Sequence, residues 1–427
     1  MKKLFIALML LIISALMAPK FIGGVVKTEH QSVINKLNEN PAITIKSTTF
    51  TRQWFGGKAR TEMTILLQDD DIADITIIVE ENLLFGPIIF NDEGLVFALS
   101  FSQADINVKE RLIDEEIENF IHNKIHLTGL FTFSKDIVSK IVIDEVSKEV
   151  DGNKVDSAKA VGHFTFEKSN RLYGDFTWAG LTATTRDESF VLGEVKFSLD
   201  QTLIAGDYYQ GNAISTGDFD FSMASINAKD ATGNAVFTLD NLLISAMSAV
   251  TKDLMQIKMN VSADKLVLAG QQLEHANFSV VLNGLNIKVM QAVNTLMTEL
   301  SADGEAMLSL ENIKKISALT TKLLASDPVI EVKDFSVETP EGKIESAMQV
   351  SVDKKLFDGA NIMSIMAALK ADANGKAPMP FFTKLGLAPI VDRYVQQGLI
   401  VLKDEELSIK VNFAHGQLNV NGHVIPL

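Results

Sequence analysis

The chain has no cysteine, which removes disulfides, thiolate nucleophiles and Cys-ligated zinc or iron–sulfur centres from consideration. Polar aromatics are nearly as scarce, with 4 Tyr and 2 Trp against 25 Phe. Surfaces that recognise sugars or polar partners favour Tyr and Trp, whose rings carry a polar handle, so the aromatic content here points to apolar packing or an apolar ligand. Positive charge is also short: 39 Lys and Arg face 54 Asp and Glu, for a net charge of −15. The cation clusters that nucleic-acid phosphates demand are missing, and a body lying flat on anionic lipid is disfavoured. Catalytic signatures are absent too. There is no Gly-x-Ser-x-Gly, no supported Ser-x-x-Lys and no His-Glu-x-x-His, and Gly56, Gly57 and Lys58 lack the upstream glycine of a phosphate-binding loop. A non-enzymatic protein without a cofactor is the expectation.

What is present begins with a hydrophobic N-terminus. Met1, Lys2 and Lys3 precede a run from Leu4 to Ala18 in which Ser14 is the one polar residue. Cleavage as a signal peptide after Ala18 would put Leu16 at a position that wants a small residue and Pro19 directly after the cut, which is a poor site. Continued through Val26, the run reaches about 34 Å at 1.5 Å per residue, enough for a hydrocarbon core of ~30 Å. Lys20 would then snorkel at the outer interface, while Lys2 and Lys3 stay inside. The expectation is a retained anchor over residues 1–27, marked by Leu4, Ala18, Lys20 and Val26. A chain of 427 residues exceeds the usual size of one core, so the remainder divides into an N-terminal β-rich lobe, 28–250, and a C-terminal one, 251–427.

Alternation of apolar and polar residues recurs through 43–46, 59–67, 75–79, 97–101, 129–133, 141–143, 163–166, 175–178, 194–199, 218–223, 236–239, 258–261, 265–268 and 278–282, and each reads as a strand. The Gly56–Gly57 pair predicts a tight hairpin between the first two through positive φ. Later strands are expected at 329–337, 343–352, 407–413 and 417–420, the last pair turned at His415 and Gly416. Helical periodicity appears at 108–121, 287–300, 308–325, 361–371 and 388–400, with a turn at Ala302, Asp303 and Gly304 and a loop at 374–380. The fold class is therefore α+β, mainly β: long curved antiparallel sheets, a few covering amphipathic helices and one N-terminal transmembrane helix.

Four landmarks carry a family resemblance: Phe50 to Gly56 after an alternating strand, Gly86 with Pro87 inside 83–90, Asp327 to Ile330 after a helical stretch, and the end hairpin with His415 to Leu418 at its turn. With these the chain resembles the bacterial YdgA-like family of uncharacterised membrane-anchored envelope proteins. Phe85 stands where that family often has His before the Gly-Pro pair. A weaker likeness, through the strand, Gly turn and strand rhythm of 263–273, is to AsmA-like β-rich envelope proteins. The resemblance implies an address, a single-pass protein of the bacterial inner membrane with its body in the periplasm, and no reaction.

Two clusters invite a metal reading. His122 and His126 have helical i, i+4 spacing but no evident third ligand, and Asp69, Asp70 and Asp71 lack the spacing of a calcium loop; a helix end and a solvated turn account for them. The remaining candidates are phenylalanines at alternate strand positions: Phe131 and Phe133, Phe164 and Phe166, Phe219 and Phe221. They mark either a core face or a groove open to lipid or another apolar ligand. The rival readings are an adaptor that holds itself, as a homo-oligomer, or an envelope protein partner through sheet edges, and a hydrolase assembled from scattered Asp, Glu and His.

Overall fold

The computed structural model describes residues 2–66, 74–91, 94–109, 124–150, 152–268, 270–302, 309–358 and 364–425, with side chains of the first helix given from Leu16 onward. That helix, α1 (Lys2–Asn38), leads into a long antiparallel meander. Its first strands are β1 (Ile43–Arg52), β2 (Gly56–Ile65) and β3 (Ile75–Phe85), followed by the separate hairpin β4 (Ile88–Asn91) and β5 (Gly94–Phe97). The sheet resumes with β6 (Ser100–Lys109), β7 (Ile125–Phe131), β8 (Ile137–Ile143), β9 (Val146–Val150), β10 (Asn153–Ser157), β11 (Ala160–Phe166), β12 (Arg171–Trp178), β13 (Leu181–Thr184), β14 (Ser189–Leu192) and β15 (Val195–Ala205). The longest strands come next: β16 (Ile214–Lys229), β17 (Ala235–Thr251), β18 (Leu254–Leu268) and β19 (Gln271–Asn286). After helices α2 (Ile287–Ala302) and α3 (Leu310–Leu324) the sheet continues through β20 (Val329–Thr339) and β21 (Gly342–Val352). The chain ends with α4 (Ile365–Ala368), β22 (Leu369–Pro378), α5 (Met379–Lys384), α6 (Ala388–Gln396), β23 (Val401–Lys403), β24 (Glu406–Ala414), β25 (Gln417–Val420) and β26 (His423–Ile425).

Along most of this sheet, neighbours in space are consecutive or nearly consecutive in the chain. Pairing runs β1 to β2 to β3 to β6 to β7 to β8, and from β15 onward through β16, β17, β18, β19, β20, β21, β22 and β24. Between these stretches the strands bend, so β9, β10, β13 and β14 pair in one row and β8, β11, β12 and β15 in another. Both rows join β16. The pairing carries on through residue 250 without a break, since β17 and β18 register from Phe237 with Leu268 to Thr251 with Leu254.

The alternating windows became strands except 97–101, which spans the break at Ala98 and Leu99 between β5 and β6; most strands are longer than their apolar core, because partners extend the hydrogen-bonded ladder past the residues that bury well. Three expectations change. Gly56 and Gly57 do not supply positive φ; they lie inside β2, where an added Cβ would come within 2.3 Å of Leu83 O and 2.6 Å of Thr51 O, so their role is close backbone approach. Residues 369–378, read as helix and loop, form β22: Leu369, Ala371, Ala373, Gly375 and Ala377 alternate with polar residues, and pairing with β21 and β24 overrides the helix propensity of alanine. Val108 belongs to β6, while residues 110–121 of the expected helix, Asp303 and Gly304 of the expected turn, and Leu308 at the start of the following expected helix lie outside the described residues. The end hairpin turns as expected at His415 (φ 52°) and Gly416 (φ 73°), the positive pair a two-residue turn requires.

From Leu16 onward α1 lies antiparallel to β1. The indole N–H of Trp54, at the β1–β2 turn, donates to Leu16 O at 2.8 Å, and at the other end Ile43 N donates to Asn40 O at 3.0 Å. Val26 is buried against Ala59, Leu83 and Phe85, with Ile22, Phe50 and Phe131 packed around them. Gly23 makes this approach possible, since a Cβ there would stand 2.6 Å from the Phe85 ring. The sheet then curls, and the loop after β15 returns to the helix end: Lys36 Nζ meets Asp207 at 2.8 Å and Asn40 Nδ2 donates to Tyr209 O at 3.1 Å. The Asp207 hydrogen bond raises the pKa of Lys36. Burial pushes Asp207 up, but the bonds from Lys36 and the Tyr209 backbone N–H hold it below its ordinary value.

Candidate functional site

Because strand side chains alternate, the pairing register assigns each phenylalanine to a face. Phe176 in β12 stands directly opposite Phe197 in β15, and Phe197 directly opposite Phe221 in β16. Phe164, Phe166 and Phe219 share that face. Ring centroids lie 5.2 Å apart for Phe176 and Phe197, 6.0 Å for Phe164 and Phe197, and 6.5 Å for Phe197 and Phe219, all stacked. This is a ladder of rings centred on Phe197, half-buried rather than sealed. Phe166 meets Tyr208 edge-on at 6.0 Å, where the loop after β15 caps one end.

Beyond Phe219 the ladder runs into a cavity of about 390 Å³ beneath α2, lined by Ile214, Phe219, Ala246, Met255, Ile257 and Met290. Gln201, Ser215 and Ser248 add the few polar groups of its wall. Such a size and composition match small apolar ligand sites. Farther along the same face Ile330, Phe335 and Met348 are exposed. Among the described residues the face is therefore covered by α1 at its start and by α2 at its middle, and is exposed at Ile330, Phe335 and Met348. The opposite face is polar beside the ladder, with Asp175, Lys196, Ser198 and Asp220 exposed, and carries the paired Arg171 and Asp200 at 2.7 and 2.8 Å. That contact holds the Asp200 carboxyl below its ordinary pKa.

Of the residues singled out by sequence, Phe164, Phe166, Phe219 and Phe221 converge on this ladder. Phe131 shares their face but packs against the α1 cluster. Phe133 does not join them: β7 ends at Phe131, and Thr132 closes a turn with Asp136 that leaves Phe133 54% exposed. Two central members, Phe176 and Phe197, were not among the candidates, although both sit in alternating windows; the signal lost was cross-strand register, which one strand's sequence does not carry.

In the anchor segment, Leu4 lies in α1 with its side chain outside the described part, and Ala18 is half-buried. Lys20 stands 5.1 Å over the Trp54 ring, and Val26 is buried in the body. Among the described residues no helix is long and apolar enough to cross a membrane. His126 lies in β7, with Nδ1 2.8 Å from Asp105 and Nε2 3.3 Å from Asp144; His122 and Asp69 to Asp71 are outside the described residues. Among the described residues no group of three or more His, Asp or Glu is placed to hold a metal ion.

A family model, that of a bacterial protein of unknown function termed DUF945, matches residues 1–427. The chain belongs to that family. No curated protein matches this DUF945 chain, and no solved structure does. Its site must be judged on its own geometry, in which the dominant feature is the phenylalanine ladder and the cavity that extends it.

Proposed function

We propose that this DUF945 protein is a non-enzymatic protein of the bacterial cell envelope, tethered to the inner membrane by the N-terminal part of α1, whose periplasmic body binds lipid or another long apolar molecule along the phenylalanine-bearing face. One observation carries the reading: the half-buried ladder of Phe164, Phe176, Phe197 and Phe219 opens directly into the apolar cavity under Met290. A sealed core has little reason to leave rings half-buried beside an empty volume, because close packing is what such side chains gain from a core. An elongated apolar guest would cover both, and the apolar run from Leu4 to Ala18 would keep the body beside a supply of acyl chains.

The test places a photoreactive amino acid at Phe197 on the ladder and, separately, at Ser198 on the opposite face, in the full chain in cells. Lipid adducts resolved by mass spectrometry are expected at 197 and not at 198. Absence of adducts at 197, or equal yields at both positions, defeats the proposal. The edge-pairing alternative has less support: β1 carries a bulge between Ile45 and Ser47 and exposes Lys46 and Arg52, devices that discourage strand addition.

A further inference from the structure

We infer that the end of the sheet bearing the β1–β2 turn and the β4–β5 hairpin rests on the phospholipid bilayer, as a lipid contact separate from the helix that crosses it. The inference builds on the tether proposed above. Its first support is the lack of slack. Ile22 and Val26 are held against Phe85, and Gly23 fits there only because it has no Cβ, so the helix is part of the body from that point. The apolar stretch left over ahead of Leu16, whose carbonyl already accepts from Trp54, runs from Leu4 to Ala15, roughly 12 residues or about 18 Å of helix. A hydrocarbon core of ~30 Å consumes all of it, and no linker remains to lift the sheet away.

The second support is what the chain places at that exit. Trp54 donates its indole N–H to Leu16 O and lies under the Lys20 ammonium at 5.1 Å. Tryptophan with a snorkelling cation is the combination that suits the headgroup level. Phe55 beside it is exposed, and its carbonyl accepts from Phe85 N at 2.8 Å.

The third support is the hairpin, which starts just past Phe85. Its two sides are unlike. Ile89 is 2% exposed and, with Val96, packs on Phe101. The other side pairs Ile88 with Phe97 and Phe90 with Leu95, and these are 45, 63, 77 and 51% exposed. Four large apolar side chains on one small hairpin exceed the scattered exposure normal for a surface. A second copy is a poor occupant because each chain carries a net charge of −15 and copies repel, whereas insertion of apolar side chains into the headgroup region needs no opposite charge.

The cysteine-free sequence gives a direct test. The full chain is reconstituted in phosphatidylethanolamine vesicles with a single polarity-sensitive dye at Phe55→Cys, Phe90→Cys or Lys258→Cys, and quenched by lipids spin-labelled near the headgroup. Strong quenching is expected at 55 and 90, at least threefold above that at 258. Quenching at 55 without quenching at 90 overturns the docking and leaves the tether standing; no quenching at either position removes the tether as well. Protection at 90 that rises with protein concentration and ignores the lipid label would mean a second copy covers the hairpin, and also overturns the inference.

Discussion

Gly23 and Gly24 are adjacent in one helix, yet their surroundings set opposite expectations. Replacing glycine by alanine inside a helix gains roughly 1 kcal/mol from backbone entropy and propensity. At Gly23 the new Cβ meets the Phe85 ring at 2.6 Å, and overpacking of that kind costs about 1–3 kcal/mol, so Gly23→Ala should lower thermal stability. At Gly24 the nearest atom is the mobile Arg52 Nη1 at 3.1 Å, and Gly24→Ala should be neutral or stabilising. Melting curves of the two variants decide it; the same sign for both would mean α1 is not docked as described. Phe197 offers a second measurement. A sealed Phe→Ala site loses roughly 3–5 kcal/mol. Because Phe197 is half-buried with an opening beside the ladder, Phe197→Ala should cost less, about 1.5–3 kcal/mol, in urea denaturation. A loss at the top of the sealed range would favour a closed core.

The clamp between α1 and the loop after β15 carries a pH signature. Asp207 has a depressed pKa in the folded state, so its contribution is present above its unfolded value near ~3.9 and disappears as pH falls through the folded one. Lys36, raised above 10.5, contributes fully below that value and loses its part as pH rises through the folded one. Both side chains keep some solvent contact, so the pair is worth on the order of 0.5 kcal/mol. The melting temperature of Asp207→Asn should lie below that of the wild type by a constant margin from about pH 5 to 9 and converge with it only as pH falls through the depressed folded-state value; a margin that persists at the lowest pH would show that packing rather than charge is lost. This clamp was invisible in the sequence, since Lys36 and Asp207 are far apart along the chain and meet only because the sheet curls. The strands, by contrast, were legible wherever bulky residues alternated, as in 218–223 and 278–282. Legibility failed where the alternating residues were small, as in β22, and where the decisive fact was which strand lies opposite, as for Phe176 and Phe197. The β4–β5 hairpin was read only as the surroundings of Gly86 and Pro87 and, at Phe97, as the start of a strand over 97–101, because nothing in its composition says that Ile89 faces inward and Phe90 outward.

Seen whole, the sheet resembles a repeat array in its energetics although no repeat unit recurs. Most strands pair only with strands close to them in the chain, so stability should be summed over near neighbours rather than shared across the molecule. Phe278 in β19 lies opposite Val261 and Phe335. Phe278→Ala should therefore reduce hydrogen-exchange protection in β18 to β21 while β1 to β3 keep theirs; an equal loss along the entire chain would instead make the sheet a single cooperative unit. The same connectivity bears on how the molecule comes into being. A polypeptide emerging with its N-terminus first, from a ribosome or from a translocation pore, can add most new strands to an edge that already exists; β9, β4 and β23 wait only for the strand that follows or nearly follows. Little of the growing sheet has to wait for a partner still to be made, and the edge exposed at any moment is covered by the next few dozen residues to arrive.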